Sequence, residues 1–204
     1  MKGSQISDIK AREIVDDRGM PTVQVTVFAE SGEYGIGSVP CGSSVGKSEA
    51  TELRDGEARY QGRGVRKAVA NVNEVIAPKL RGMDPRKQRE IDLTMLELDS
   101  TPDKSRLGAN AILGVSLAVS RVAAQLCRLP LYRDINANAH VIPVPQACII
   151  DGGLHAGNDL AFQEICVMPV GAGTFAEATR IVTEVCLTTR ELLIKKYGIS
   201  AVNI

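Results

Sequence analysis

The chain has 204 residues, 24 basic against 24 acidic side chains, and a 44% hydrophobic share, the balance of an ordinary globular protein with room for one large domain or one domain and part of another. Zero net charge removes the long-range pull toward nucleic acid or anionic lipid, and three Phe, four Tyr and no Trp leave few rings for stacking bases. No apolar run approaches the roughly 18 residues of a membrane span, and MKGSQISDIK lacks an apolar signal core. The expected partners therefore include neither nucleic acid nor membrane. The five cysteines, Cys41, Cys127, Cys148, Cys166 and Cys186, are odd in number, widely spaced and without a C-x-x-C pair. Neither a zinc motif nor a disulfide framework is indicated, and a reduced, cytoplasmic protein is expected.

The first forty residues predict an antiparallel meander. Ile6 to Val15 is the first strand, ended by the turn composition Asp16-Asp17-Arg18-Gly19. Thr22 to Val27 alternates, with Val23, Val25 and Val27 on one face and Thr22, Gln24 and Thr26 on the other. Ser31-Gly32 marks a turn, and Gly35 to Val39 returns as a third strand.

The next stretch, CGSSVGKSEA, raises the question of a phosphate-binding loop. Gly46-Lys47-Ser48 supplies the second half of G-x-x-x-x-G-K-[ST], but the first glycine falls on Cys41. Taken alone, the loop is an ordinary surface turn or an imperfect nucleotide loop between a strand and a helix-like run.

Helical character is expected after Ser48. Val65, Ala68, Val69, Val72 and Ile76 form an apolar stripe over Gly64 to Ala77. Asp84-Pro85 is expected to cap and open the next helix, whose core face would be Ile91, Met95 and Leu98. Asn110 to Leu126 is apolar around most of its circumference, which predicts the central buried helix. Asp134 to His140, bracketed by Pro130, Pro143 and Pro145, is expected to link domains. Beyond it come two short buried-strand candidates, 145–150 and 163–167, around the Gly-rich DGGLHAGNDL. A long amphipathic helix then runs from Phe175 to Tyr197, with Ile181, Val182, Val185 and Leu192 as its stripe.

Several segments, in order, resemble the enolases, the glycolytic phosphopyruvate hydratases. They are Arg12-Glu13-Ile14 with Asp17-Arg18-Gly19 and Pro21-Thr22-Val23, the loop Pro40 to Gly46, Glu52-Leu53-Arg54-Asp55, and Lys104-Ser105 with Leu107 to Ala118. Asp151 to Asn158, Gln163-Glu164 and the closing Ala201-Val202-Asn203-Ile204 complete the series. The fold this implies is an α+β domain over residues 1–135, a three-stranded antiparallel meander plus helices. An incomplete α/β, TIM-like barrel segment follows over 141–204, with two strands and one helix.

The resemblance also implies chemistry. The loop is similar to a mobile lid whose serine, here Ser44, helps hold a second Mg²⁺ over bound substrate; small residues suit a segment that must close. Interconversion of 2-phosphoglycerate and phosphoenolpyruvate requires a proton to be taken from beside a carboxylate. A lysine base and two Mg²⁺ do this in the superfamily. Glu164 matches a catalytic carboxylate that aids departure of the hydroxyl, and His155 and Gln163 match substrate contacts. The base, the acid of a GDEGG motif and the main metal ligands have no match here. Glu177, Glu184 and Glu191, seven apart on one helix, form a solvated face rather than a substitute. Enolases form dimers in which the N-terminal domain meets the partner's barrel, so a homodimer or a pairing with a full-length enolase is expected.

Four positions depart from the family pattern: Met20, Cys41, Val45 and Asp151. Asp151 brings negative charge near a phosphorylated acid and would oppose it unless paired. A TIM barrel needs roughly 250 residues, so the chain is expected to be inactive alone, and its part after the linker to be marginal, aggregation-prone, or completed by another chain. The first 135 residues are expected to fold by themselves.

Overall fold

Alternating valines build the centre of the sheet. Strand β2, Pro21–Ala29, buries Val23, Val25 and Val27 on one face, the period-two pattern of a half-buried strand. It pairs antiparallel with β1, Ile6–Val15, in the register Ile9↔Val27 and Ala11↔Val25. On its other side lies β3, Tyr34–Ser38, with Gly37 opposite Val25 and Gly35 opposite Val27. The sheet order is β1-β2-β3. The computed structural model describes residues 3–42 and 46–198, with the backbone alone at Leu154 and His155. These residues divide between two units, Met1–Ala139 and His140–Ile204.

The two glycines of β3 seat the central helix of the first unit. Helix α4, Ala109–Leu126, packs against β2 and β3. A Cβ on Gly35 would meet the carbonyl of Ala118 and lie 2.5 Å from the Val122 nitrogen; one on Gly37 would meet the carbonyl of Gly114 and lie 2.8 Å from the Ala118 nitrogen. Helix and strand therefore touch backbone to backbone, a distance open only to glycine. Helix α4 is long and apolar enough to cross a bilayer by composition, but Ala111, Val115, Ala118, Val119 and Val122 are buried in this core.

One continuous helical stretch closes the sheet's other margin. It runs as α1, Arg66–Ala70, a wider π segment, Asn71–Ile76, and α2, Ala77–Leu80. The predicted stripe is observed, with Val65, Ala68, Val72 and Ile76 fully buried and Val69 partly so. Within the π segment, Asn73 reaches the edge strand: its Oδ1 accepts from Ala11 N at 2.8 Å and its Nδ2 donates to Ala11 O at 3.2 Å. An exposed strand edge is thus given a partner from a side chain. Helix α3, Gln88–Asp99, buries Ile91 and Met95 with Leu98 beside them, each fully buried aliphatic contributing roughly 1.5–3 kcal/mol.

Two local expectations are corrected. Residues after Ser48 do not begin a helix; the first helical turn is the 3₁₀ segment Arg59–Gly62, and α1 starts only at Arg66. The backbone between is held by long-range bonds, from Thr51 N to Asp103 O at 2.7 Å and from Ala109 N to Thr51 O at 2.8 Å. The helix that a nucleotide loop needs behind its glycine-lysine pair is absent there. Nor does Asp84-Pro85 cap α3. The Asp84 carboxylate accepts from Arg86 N at 3.0 Å and from the Arg86 guanidinium, closing a turn of its own, and α3 begins at Gln88.

In the second unit, β4, Ala147–Asp151, and β5, Glu164–Val167, form an antiparallel hairpin. The segment expected to be buried on both strands is half-exposed instead, because a two-stranded sheet in so short a unit has little to cover it. The Gly-rich connection contains one unpredicted helical turn, α6, Gly153–Ala156. Helix α7, Phe175–Tyr197, is capped by Thr174, whose hydroxyl accepts from Glu177 N at 3.1 Å. Its stripe is only half-covered, and Leu187 and Leu192 are 54% and 61% exposed. A short helix before the linker, α5, Leu131–Ile135, ends the first unit's regular structure.

Gly37→Val should destabilise the first unit by about 3 kcal/mol or more, since the added carbons have no space and α4 must move. Urea unfolding followed by circular dichroism checks this; a loss below about 1 kcal/mol would show that α4 is not seated on β3 through its backbone.

Candidate functional site

The predicted site residues fall into two groups, one in each unit. In the first unit, the loop at residues 43–45, with Ser44 and Val45, lies outside the described residues. Its flanks are tied down by Arg54. Nη1 of Arg54 donates to Pro21 O at 2.6 Å and Arg63 O at 2.7 Å; Nη2 donates to Glu52 Oε1 at 2.6 Å and to Cys41 Sγ at 3.0 Å. Arg18 donates to the Cys41 carbonyl. On the far side, Glu49 Oε1 accepts from Gly46 N at 2.9 Å. Both ends of the loop are thus anchored by charge-assisted bonds, the stronger kind.

Two of the positions expected to depart from the pattern, Cys41 and Met20, have partners here. The Cys41 thiol takes the Arg54 guanidinium as its partner, and Met20 Sδ accepts from Arg63 Nη1 at 3.5 Å. Asp55, buried, accepts from Arg66 N at 3.0 Å and Lys67 N at 2.9 Å, capping α1 from a distance in sequence. A cleft of about 640 Å³ beside the loop carries Arg18, Arg54 and Arg63 with Glu49 and Glu52, so its charges largely offset one another.

The second group sits on the hairpin. Strand β5 begins at Glu164, directly opposite Asp151, the last residue of β4. Gln163 lies just outside the strand, and its carbonyl accepts from Gly152 N at 2.7 Å. Neighbouring side chains within a strand point to opposite faces, and Gln163 and Glu164 are both exposed. His155 lies in α6, on the loop between the strands, and its side chain is outside the described residues.

Asn158 shapes that loop, a role not foreseen from the sequence. Its Oδ1 accepts from Gly153 N at 2.9 Å and Leu160 N at 3.1 Å, and its Nδ2 donates to Asp151 O at 3.1 Å. The signal for it was local: Asn between Gly and Asp is a strong turn former that bonds its own backbone. Two cysteines were missed as well. Cys148 and Cys166 stand opposite each other across the hairpin, a pairing invisible in two residues eighteen positions apart.

Asp151 finds its neighbour here. The Cys148 thiol donates to Asp151 Oδ1 at 3.0 Å. That hydrogen bond, then burial, then the carboxylate's charge push the Cys148 thiol up to about 11. Among the described residues, the one group of three or more potential metal donors is Cys148, Glu164 and Cys166, whose ligand atoms lie within 4.8 Å of one another. Two thiols and a carboxylate do not suit Mg²⁺, a hard cation that takes oxygen ligands. That cluster does not fit the ion.

Comparison with known proteins places both units. A family model for the enolase N-terminal domain matches residues 6–135, and one for the enolase C-terminal TIM barrel domain matches residues 139–204. The enolases of Thermococcus kodakarensis and Pyrococcus furiosus are each 54% identical over 201 residues, covering 98% of this chain and 46% of theirs. That of Methanocaldococcus jannaschii is 52% identical over 201 residues, 98% of this chain and 48% of its own. The chain spans about half the length of the curated relatives it matches.

A raised thiol value means less thiolate at any given pH, so alkylation of Cys148 should keep accelerating until the pH nears about 11. Asp151→Asn removes the acceptor charge and should bring that inflection down, speeding alkylation near pH 8 by about tenfold. Mass-spectrometric rates for the Cys148 peptide read this out, and an unchanged inflection would contradict the assigned bond.

Proposed function

This chain belongs to the enolase family, and on that premise we propose that it is the front part of a phosphopyruvate hydratase. The reaction is the glycolytic interconversion of 2-phosphoglycerate and phosphoenolpyruvate. In this reading Glu164 aids departure of the hydroxyl alongside the acid of the GDEGG motif, which needs a carboxyl within hydrogen-bond reach. Gln163 and His155 hold the substrate in place, and binding groups that fix geometry lower the barrier by removing orientational freedom. The two Mg²⁺ of the family reaction supply charge neutralisation for the enediolate when bound; Ser44 is the one proposed ligand here, and the others belong to the longer form. The 204-residue chain is therefore inactive by itself. Its five unpaired cysteines favour a reducing, cytoplasmic setting.

The observation that carries this reading is the start of β5 at Glu164, with the Gln163 carbonyl bonded to Gly152 at the root of the loop that holds His155. Asp151 stands opposite Glu164, and its bond from Cys148 spreads part of a charge that would otherwise repel an anionic substrate.

A second reading rests on the half-covered stripe of α7. An apolar helix face of this kind suits association with a second copy of the chain or with a full-length enolase that contributes the remaining barrel. In that case the chain acts through its partner rather than as a catalyst.

The test joins this chain to the portion of the T. kodakarensis enolase that follows the matched region. The fusion should turn over 2-phosphoglycerate with Mg²⁺, and Glu164→Gln should lower its kcat by about 100-fold or more, while the 204-residue chain alone shows none. Full activity in the Glu164→Gln fusion would remove Glu164 from the mechanism. An inactive but folded fusion would leave the second reading.

A further inference from the structure

The hairpin places four metal-binding side chains on one face through a break in its own pairing. On β5, Glu164 and Cys166 are two residues apart and so share a face. On β4, Cys148 pairs with Cys166 and Asp151 pairs with Glu164, although the two lie three positions apart. A bulge between Cys148 and Ile150 accounts for this: the extra residue reverses the alternation and turns Asp151 to the side of Cys148. Ile150 and Ile165, paired with each other, take the opposite face.

We propose that this face binds a thiophilic divalent cation such as Zn²⁺, with Cys148, Cys166 and Glu164 as ligands and Asp151 as the fourth. Sulfur and carboxylate oxygen are the donors such an ion prefers. With bonds of about 2.3 Å to sulfur and about 2.0–2.2 Å to oxygen, the edges of a tetrahedral site are about 3.5–3.8 Å. Two distances are close to that, Cys148 Sγ to Asp151 Oδ1 at 3.0 Å and Cys166 Sγ to Glu164 Oε2 at 3.8 Å; Cys148, Glu164 and Cys166 lie within 4.8 Å of one another, and Asp151 joins them through its bond from Cys148 alone. Small side-chain rotations close the set, with no change of register. Two thiol protons leave to solvent as the metal–sulfur bonds form. The donors are solvent-exposed apart from half-buried Cys166, so the ion has open access.

The site stands independently of the proposed hydratase activity, but it shares Glu164 with it. A bound cation would occupy the carboxylate assigned there to the hydroxyl, making a thiophilic ion an inhibitor of the completed enzyme.

The experiment uses the 204-residue chain under a non-chelating, non-thiol reductant and reads no activity. Each cysteine's alkylation rate is followed by mass spectrometry with and without stoichiometric Zn²⁺. Cys148 and Cys166 should slow by about tenfold or more, while Cys41, Cys127 and Cys186 keep their rates. Glu164→Gln, with its fold checked by circular dichroism, should weaken Zn²⁺ binding by roughly 10- to 100-fold in competition with a chromophoric chelator. Protection of no cysteine, protection of all five alike, or unchanged affinity in Glu164→Gln would overturn the site.

Discussion

The contact between α4 and β3 sets the geometry of everything in the first unit. Because Gly35 and Gly37 have no side chains, the helix backbone comes down onto the strand, with Ala118 lodged between them. The valines of β2 are then sealed beneath it, and the other helices pack around the pair to form one continuous core. The same seating fixes where α4 begins. Asn110 in its first turn exchanges hydrogen bonds with Leu53, at 3.2 Å from Leu53 N and 3.1 Å to Leu53 O, and so positions the Glu52–Asp55 segment. Arg54, carried on that segment, holds the base of the 43–45 loop. A close packing of two backbones is thereby transmitted to the site's edge through one amide side chain and one guanidinium.

Much of this was legible in the sequence because burial imposes period. The alternation of Val23, Val25 and Val27 gave the central strand, and the stripes of Ile91 with Met95 and of Val65 through Ile76 gave the buried faces of two helical stretches, though not their exact bounds. What failed was local chemistry competing with local pattern. Asp84 spends its carboxylate on Arg86 rather than on a helix end, and the backbone around Thr51 pairs with residues fifty positions away. Propensity within a short window carries no information about such partners.

The candidate site divides along the same line. Gln163, Glu164 and His155 were named through resemblance, and the structure describes where the first two stand but not the side chain of the third. Asp151, Cys148 and Cys166 belong together only because of a single bulge, and a bulge is a property of the pairing between two strands rather than of either strand's letters. The negative charge at Asp151, an oddity in the sequence, acquires a definite neighbour in the Cys148 thiol.

The two units differ in the means available to hold them. Every buried branched aliphatic side chain among the described residues belongs to Met1–Ala139, and in the other unit Ala178 is the buried hydrophobic residue. A hairpin and one helix with so little interior lie at the low end of local stability. The site-bearing hairpin therefore has little interior of its own, whereas the first unit is built around one continuous core. Hydrogen exchange of the 204-residue chain, resolved by peptide mass spectrometry, tests this most directly. The account predicts that amides of α4 and β2 exchange orders of magnitude more slowly than those of α7 and the β4–β5 hairpin. Equal protection of α7 and α4 would contradict it.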